Sequence, residues 1–195
     1  VQYLLDVLKH GFRLSGERER FEEFRKSWLR QEGLEETHFA PGLIEGKERI
    51  IAELCRVGRL TVEKGYVDSF FGNISYFDGS TIYISQTTSS LDELEGHIDP
   101  VPLDGSSTAG LSASSELPAH RGIYLATGYH AVLHGHPKFS VILSMYCEEE
   151  DCRIEDCNRF CNRRRTACGV PVVAGETGAG GLAKTVPLAV RESGV

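Results

Sequence analysis

Apolar residues along this chain recur with two different periods. Between Glu17 and Glu36, seven acidic and five basic side chains interleave with Phe21, Phe24, Trp28 and Leu29. Those four stand at i, i+3, i+7 and i+8, the stripe of an amphipathic helix. Pro41-Gly42 breaks the pattern, so residues 1–45 are expected to form an N-terminal helical extension, apart from a second domain over 46–195. Helical spacing returns at Ile50, Ile51, Leu54 and Val57 and is expected to stop near Gly58. Beyond Gly65 two strands are expected, Ile74 to Phe77 and Thr81 to Ser85. Asp78-Gly79 between them is a hairpin signal.

Residues 86–113 are rich in Ser, Thr, Asp, Gly and Pro and predict a loop, with a short strand near Pro100 to Leu103. A helix is expected from Ser114 or Ser115, because serine caps helix starts and Glu116 suits a first turn. Pro118 is still early enough to be tolerated. Ala131 to His136 reads as a buried strand, Phe139 to Met145 as a helix and Val170 to Ala174 as a further strand. Strands and helices alternate after the hairpin, which predicts a mixed α/β layer structure.

Length and composition narrow the class. A chain of 195 residues suffices for one sizeable domain and an appendage. With 41% hydrophobic and 25% charged residues it is not a disordered, collagen-like or coiled-coil sequence. A net charge of -7 argues against general binding to nucleic acid or anionic membranes. No apolar run approaches the roughly 20 residues that span a bilayer. The opening Val1-Gln2-Tyr3-Leu4-Leu5 lacks a basic region and a small-residue cleavage site, so a cytoplasmic location is the default expectation. Starting at Val rather than Met, the chain is expected to lack its true N-terminus.

Five of the six cysteines, Cys147, Cys152, Cys157, Cys161 and Cys168, fall within 22 residues. Such clustering suits metal binding or redox chemistry better than a secreted disulfide scaffold, but the spacing matches no zinc-ribbon or ferredoxin pattern. Local disulfides and free thiols remain open.

The sharpest chemical signal is His134-Gly135-His136. On a strand, i and i+2 share a face about 6.5 to 7 Å apart, and two imidazoles so placed can converge on a divalent cation with a third ligand from elsewhere. Most H-x-H pairs, taken alone, bind nothing. Ser114-Ser115-Glu116 offers free backbone N–H groups and two hydroxyls to an anion, with a carboxylate beside them; alone, it is a cap and a first-turn acid. Gly72-Asn73-Ile74-Ser75 is, alone, a turn entering a strand.

In order along the chain, Gly72-Asn73-Ile74-Ser75, Ile84-Ser85-Gln86-Thr87-Thr88, Ser114-Ser115-Glu116 with His120 and Tyr124, and His130-Ala131-Val132-Leu133-His134-Gly135-His136-Pro137 resemble the class II aldolase/adducin family over about Glu45 to Val195. The resemblance implies a three-layer α/β/α fold with a central, mainly antiparallel sheet, and a homo-oligomer, usually a tetramer, with active sites between subunits. It implies that His134 and His136 are two of three histidines holding a divalent metal, Zn2+ before Mn2+, Co2+ or Fe2+. It makes Glu116 the catalytic acid/base, and Asn73, Thr87, Ser114 and Ser115 the residues that hold a substrate phosphate. The implied activity is that of a metal-dependent lyase on a small phosphorylated sugar or hydroxy-carbonyl compound, passing through an enediolate. A methylthioribulose-phosphate dehydratase-like or epimerase reaction, and a non-catalytic adducin-like binding domain, are the rivals; the family's non-catalytic members lose the metal histidines.

Three departures bear on that expectation. Thr88 stands where glycine is usual, which could narrow the phosphate pocket. The family's third metal histidine lies in a later stretch that this sequence does not reach, so the C-terminal part of the fold is expected to be missing. No tyrosine lies between Cys147 and Val195, where sugar-phosphate aldolases carry a catalytic one. Of the other histidines, His120 is expected to pack behind the site, His130 to be structural, and His97, His10 and His38 to be solvent-exposed. Gly175 to Thr185 superficially resembles a nucleotide loop, but Lys184 stands three positions after the last glycine instead of directly after it. A flexible turn and helix start near the cleft is expected there instead.

Overall fold

The computed structural model describes residues 42–145, 147, 152–163, 165–167, 169–176 and 178–193, together with Glu23. The expected helix over Glu17 to Glu36, apart from Glu23, lies outside the described residues, as do His10, His38, Tyr146 and Cys168. The chain divides between Gly42 and Leu43 into two compact units, and the second holds the sheets and their helices.

Helix α1 spans Lys47–Glu63 and buries Ile50, Leu54, Gly58 and Thr61 on one face. Glu48 sits in its first turn, where the helix dipole favours a carboxylate. Gly58 does not end the helix, contrary to the sequence expectation. A Cβ there would lie 2.3 Å from the Leu91 carbonyl oxygen, so the glycine serves a close approach. The helix stops at Lys64, whose N–H bonds Leu60 O, and Gly65 turns the chain away at φ 68°.

Strands β1 (Gly72–Phe77) and β2 (Thr81–Ser85) form the expected hairpin, with Ser75 opposite Ile84 and Tyr76 opposite Tyr83. Asp78 closes it, its Oδ1 accepting from the N–H groups of Ser80 and Thr81 at 2.8 Å each. Strand β3 (Ile98–Pro102) begins two residues before the predicted one and pairs with β2. Helix α2 runs Leu117–Thr127, later than predicted; Glu116 is its N-cap residue. Strand β4 (Ala131–Gly135) pairs with β1, giving a four-stranded antiparallel sheet of order β3-β2-β1-β4. Standing at the sheet's end, β4 is partly exposed rather than buried as expected; Leu133 is 48% exposed.

Alternation along the strands sorts the core into two faces. Ile74, Tyr76 and Tyr83 pack with Ile50 and Leu54 of α1. Ile82 and Ile84 pack with Tyr124 of α2, and Phe77 and Val132 close that cluster. Helix, sheet and helix therefore form the three layers. Helix α3 (Lys138–Met145) follows β4, and α4 (Cys157–Phe160) lies in the cysteine segment. Strand β5 (Arg165–Ala167), which no apolar pattern announces, pairs with β6 (Val170–Val172) in a separate ribbon. Helix α5 (Gly178–Ser193) realises the predicted helix start and packs on α2, where Gly122 makes room for Pro187.

Candidate active site

The site arises where two periodicities meet. On β1 and β4, Asn73 lies opposite His134 and Ser75 opposite Val132, all on the α2 side of the sheet. On α2, Glu116, His120 and Tyr124 recur every fourth residue and face them. Glu116 Oε2 approaches His134 Nδ1 to 2.6 Å and accepts from Asn73 Nδ2 at 3.1 Å. His136, just beyond the strand, sets its ring edge-on to that of His134 with centroids 4.9 Å apart, and Phe71 lies 6.2 Å behind it. Burial works to raise the Glu116 pKa, but the hydrogen bonds from His134 and Asn73 outweigh it and hold the carboxyl below its usual range. Burial also pushes His136 below the ordinary histidine range, with His134 adding to the effect.

Behind this group lies a second, fully enclosed one. His120 is only 2% exposed, and its Nδ1 is hydrogen-bonded to Ser75 Oγ at 2.6 Å; Ser75 Oγ also meets the Tyr124 hydroxyl. Burial brings the His120 pKa down to about 4 and raises that of Tyr124. Ser75 is the residue whose part the sequence did not reveal. Its only signal is a hydroxyl at a position where the strand alternation calls for a core side chain. His130, whose Nδ1 meets Phe77 O at 2.7 Å, ties β4 to the hairpin, and His97 is exposed beside Gln86.

A loop rich in hydroxyl side chains gathers beside Glu116. Gln86 bridges to Ala113, which brings Thr87 to the start of α2. The Ser115 N–H donates to Thr87 Oγ1 at 3.2 Å, and the Glu116 N–H donates to Ser114 Oγ at 3.3 Å. Asp99, itself buried, anchors this loop by accepting from Gln86 Nε2 at 2.8 Å and Ser112 Oγ at 2.7 Å. Thr87 and Ser115 are exposed, Ser114 is buried, and Asn73 reaches Glu116 and His134. A cavity of about 340 Å³ opens next to Glu116, His120 and His134, its far wall formed by Ile123, Leu182, Val186 and Val190.

His134 and His136 supply two nitrogen donors of the kind zinc and its neighbours favour. With Nδ1 of His134 committed to a carboxylate, Nε2 is the atom left to ligate, the usual arrangement of a metal-bound histidine. The pair thus fits a divalent metal in its chemistry. Among the described residues no group of three His, Cys, Asp or Glu side chains gathers to complete it. Cys55, Cys147, Cys152, Cys157 and Cys161 are free thiols.

A three-layer α/β/α domain carrying an imidazole pair, a carboxylate at a helix start and a hydroxyl-lined loop defines an aldolase-like class of protein. The family model for the Class II Aldolase and Adducin N-terminal domain matches residues 52–193, and the chain belongs to that family. It is similar to the structure of L-fuculose-1-phosphate aldolase from Thermus thermophilus, with 28% identity and a TM-score of 0.58, over 75% of this chain and 72% of that one. It is also similar to YgbL, a putative aldolase/epimerase/decarboxylase, from Klebsiella pneumoniae: 25% identity, TM-score 0.48, over 55% of this chain and 52% of that one. For YgbL from Escherichia coli the values are 25%, 0.46, 50% and 49%. No curated protein matches the chain. No helix among the described residues is long and apolar enough to cross a membrane.

Proposed function

We propose that the chain is a metal-dependent lyase of the class II aldolase type, acting on a small phosphorylated sugar or hydroxy-carbonyl compound through an enediolate. The observation that carries this reading is the 2.6 Å contact of Glu116 with His134, beside the edge-on ring of His136. His134 and His136 would hold the divalent ion, Zn2+ foremost; when bound, such an ion polarises a substrate carbonyl and offsets charge that develops on its oxygen. Glu116, a carboxylate held ready by its two donors, takes a proton from the carbon next to that carbonyl and returns it. Asn73, Thr87, Ser114 and Ser115 hold the substrate phosphate with their side-chain amide and hydroxyl groups at the start of α2, where the helix dipole favours an anion. His120, at the edge of the cavity, and Tyr124, behind it, are held by Ser75 and take no part in the proton transfer.

The aliphatic wall of Ile123, Leu182, Val186 and Val190 supports a second reading. A substrate with an apolar substituent would suit that wall, as in a methylthioribulose-phosphate dehydratase-like reaction. A homotetramer in the cytoplasm is the assembly and location that go with either reading. Metal analysis and deuterium uptake from heavy water by phosphorylated aldoses and ketoses test the proposal. About one divalent ion per chain, lost in His134→Ala, with exchange at the substrate carbon, is the expected result. A chain that takes up no ion and exchanges nothing is a binding domain of the adducin kind. Zinc or iron retained in His134→Ala belongs to the cysteines.

A further inference from the structure

The sequence holds an arginine run, Arg163-Arg164-Arg165, in a chain whose net charge is -7, and the catalytic group makes no use of it. Arg163 and Arg165 line a second cavity, of about 430 Å³, between the β5–β6 ribbon and helix α5. Register sets one side of it. Arg165 stands opposite Val172 in the ribbon, so a guanidinium stem and an aliphatic side chain share a face. Helical periodicity sets the other. Thr185 with Ala189, and Leu188 with Glu192, are pairs four residues apart that border this cavity, whereas Leu182, Val186 and Val190 turn to the cavity beside Glu116. The two cavities share no lining residue among those described. Cys161, only 7% exposed, also lines the second one. Backbone bonds of 3.0 Å from the Gly175 and Glu176 N–H groups to Asn158 O and Arg159 O pin α4, just before Cys161, against the chain that leads into α5.

We propose that this second cavity is a binding site for a small carboxylate with an aliphatic body, separate from the catalytic centre. Its volume is that of a small-molecule site, in which a few placed polar groups stand among apolar walls. Guanidinium groups match a carboxylate in both charge and planar geometry. The two arginines outnumber Glu192, the only carboxylate among the described lining residues, so an anion is favoured over a cation or a neutral molecule. Val172, Leu188 and Ala189 offer hydrocarbon to the rest of the ligand. A bare phosphate would leave that hydrocarbon uncovered, which distinguishes this site from the hydroxyl-rich loop at the start of α2. The inference is independent of the lyase reading, because it uses none of the same residues.

Hexanoate, titrated calorimetrically into the full chain, is the probe, with acetate, hexanol and inorganic phosphate as controls. A single hexanoate per chain is expected to bind. Acetate and hexanol should each bind at least about tenfold more weakly, and phosphate should not displace hexanoate. Occupancy should slow alkylation of Cys161 by iodoacetamide, read by peptide mass spectrometry, and leave that of the exposed Cys147 unchanged. Arg165→Gln should weaken hexanoate about tenfold or more, and Arg163→Gln stands in for it if that chain fails to fold. Ala189→Phe, which fills the cavity from α5, should abolish binding. His134→Ala should bind hexanoate as the parent does. The proposal is overturned by a parent chain that binds no hexanoate at millimolar concentration, by hexanol binding equally well, or by displacement with phosphate. Parental affinity in the folded arginine and Ala189 variants overturns it too, as does an unprotected Cys161. So does loss of binding in His134→Ala, which would put the carboxylate in the catalytic cavity.

Discussion

Glu116 Oε2 and His134 Nδ1 stand 2.6 Å apart, although one belongs to the start of a helix and the other to the end strand of the sheet. In the proposed function this contact gives the carboxylate two duties, taking a proton from substrate and orienting an imidazole. Those duties can be split. Gln at position 116 still offers an oxygen to His134 Nδ1–H but carries no proton. Glu116→Gln is therefore expected to retain its divalent ion by metal analysis and to lose deuterium exchange by at least about 100-fold. Exchange at the parental rate in that variant would remove Glu116 from the chemistry.

Thr88 adopts φ 63° at the position the family usually fills with glycine. A β-branched side chain in the left-handed region is destabilising by about 1 to 3 kcal/mol, against roughly 0.5 to 1 kcal/mol of extra chain entropy that glycine loses on folding. Thr88→Gly is expected to stabilise the protein by about 1 kcal/mol, read as a higher urea midpoint at unchanged m. A lower midpoint would mean that the threonine side chain makes contacts worth more than its strain.

Gly58 presents the opposite case. Alanine is the better helix former by about 1 kcal/mol, and on helix propensity alone Gly58→Ala should stabilise α1. A Cβ at that position would stand 2.3 Å from Leu91 O and 2.9 Å from Leu94 Cδ1, and both leucines are fully buried. Overpacking of this kind costs about 1 to 3 kcal/mol or more. The substitution is expected to lower the urea midpoint despite the gain in propensity; a raised midpoint would show that the 91–94 loop yields freely.

How legible each feature is in the sequence depends on how local its cause is. The Asp78-Gly79 hairpin is written in adjacent residues, since Asp78 bonds the N–H groups two and three positions ahead. The histidine pair and Glu116 are legible as chemistry because their residue types are unusual in such company. Gly58 misleads because its reason lies in Leu91, far along the chain. The burial of β4 cannot be read locally, because Ala-Val-Leu looks alike at the middle and at the end of a sheet. Strand β5 hides in Arg165-Thr166-Ala167, which carries no alternation. The contacts of Asn73 with Glu116 and His134 depend on a cross-strand register that one strand alone does not encode.

His120 should make the protein sensitive to mild acid. Burial brings its pKa from 6.5 down to about 4; His134 pushes the same way, and Glu116 opposes. In the unfolded chain the same ring protonates at its ordinary value. Between those two values the unfolded state binds a proton that the folded state refuses, so stability falls as pH drops from 6.5 toward 4 and this residue adds no slope above or below. The loss reaches about 3 kcal/mol at most. His120→Asn keeps an acceptor for the Ser75 hydroxyl and removes the titration. The variant is expected to be less stable than its parent at about pH 7, and the gap in urea unfolding free energy is expected to narrow steadily toward about pH 4.5. A gap that stays constant over that range would mean that the ring titrates equally in the folded and unfolded chains, and that its enclosure by Ser75 and Tyr124 is looser than the hydrogen bonds imply.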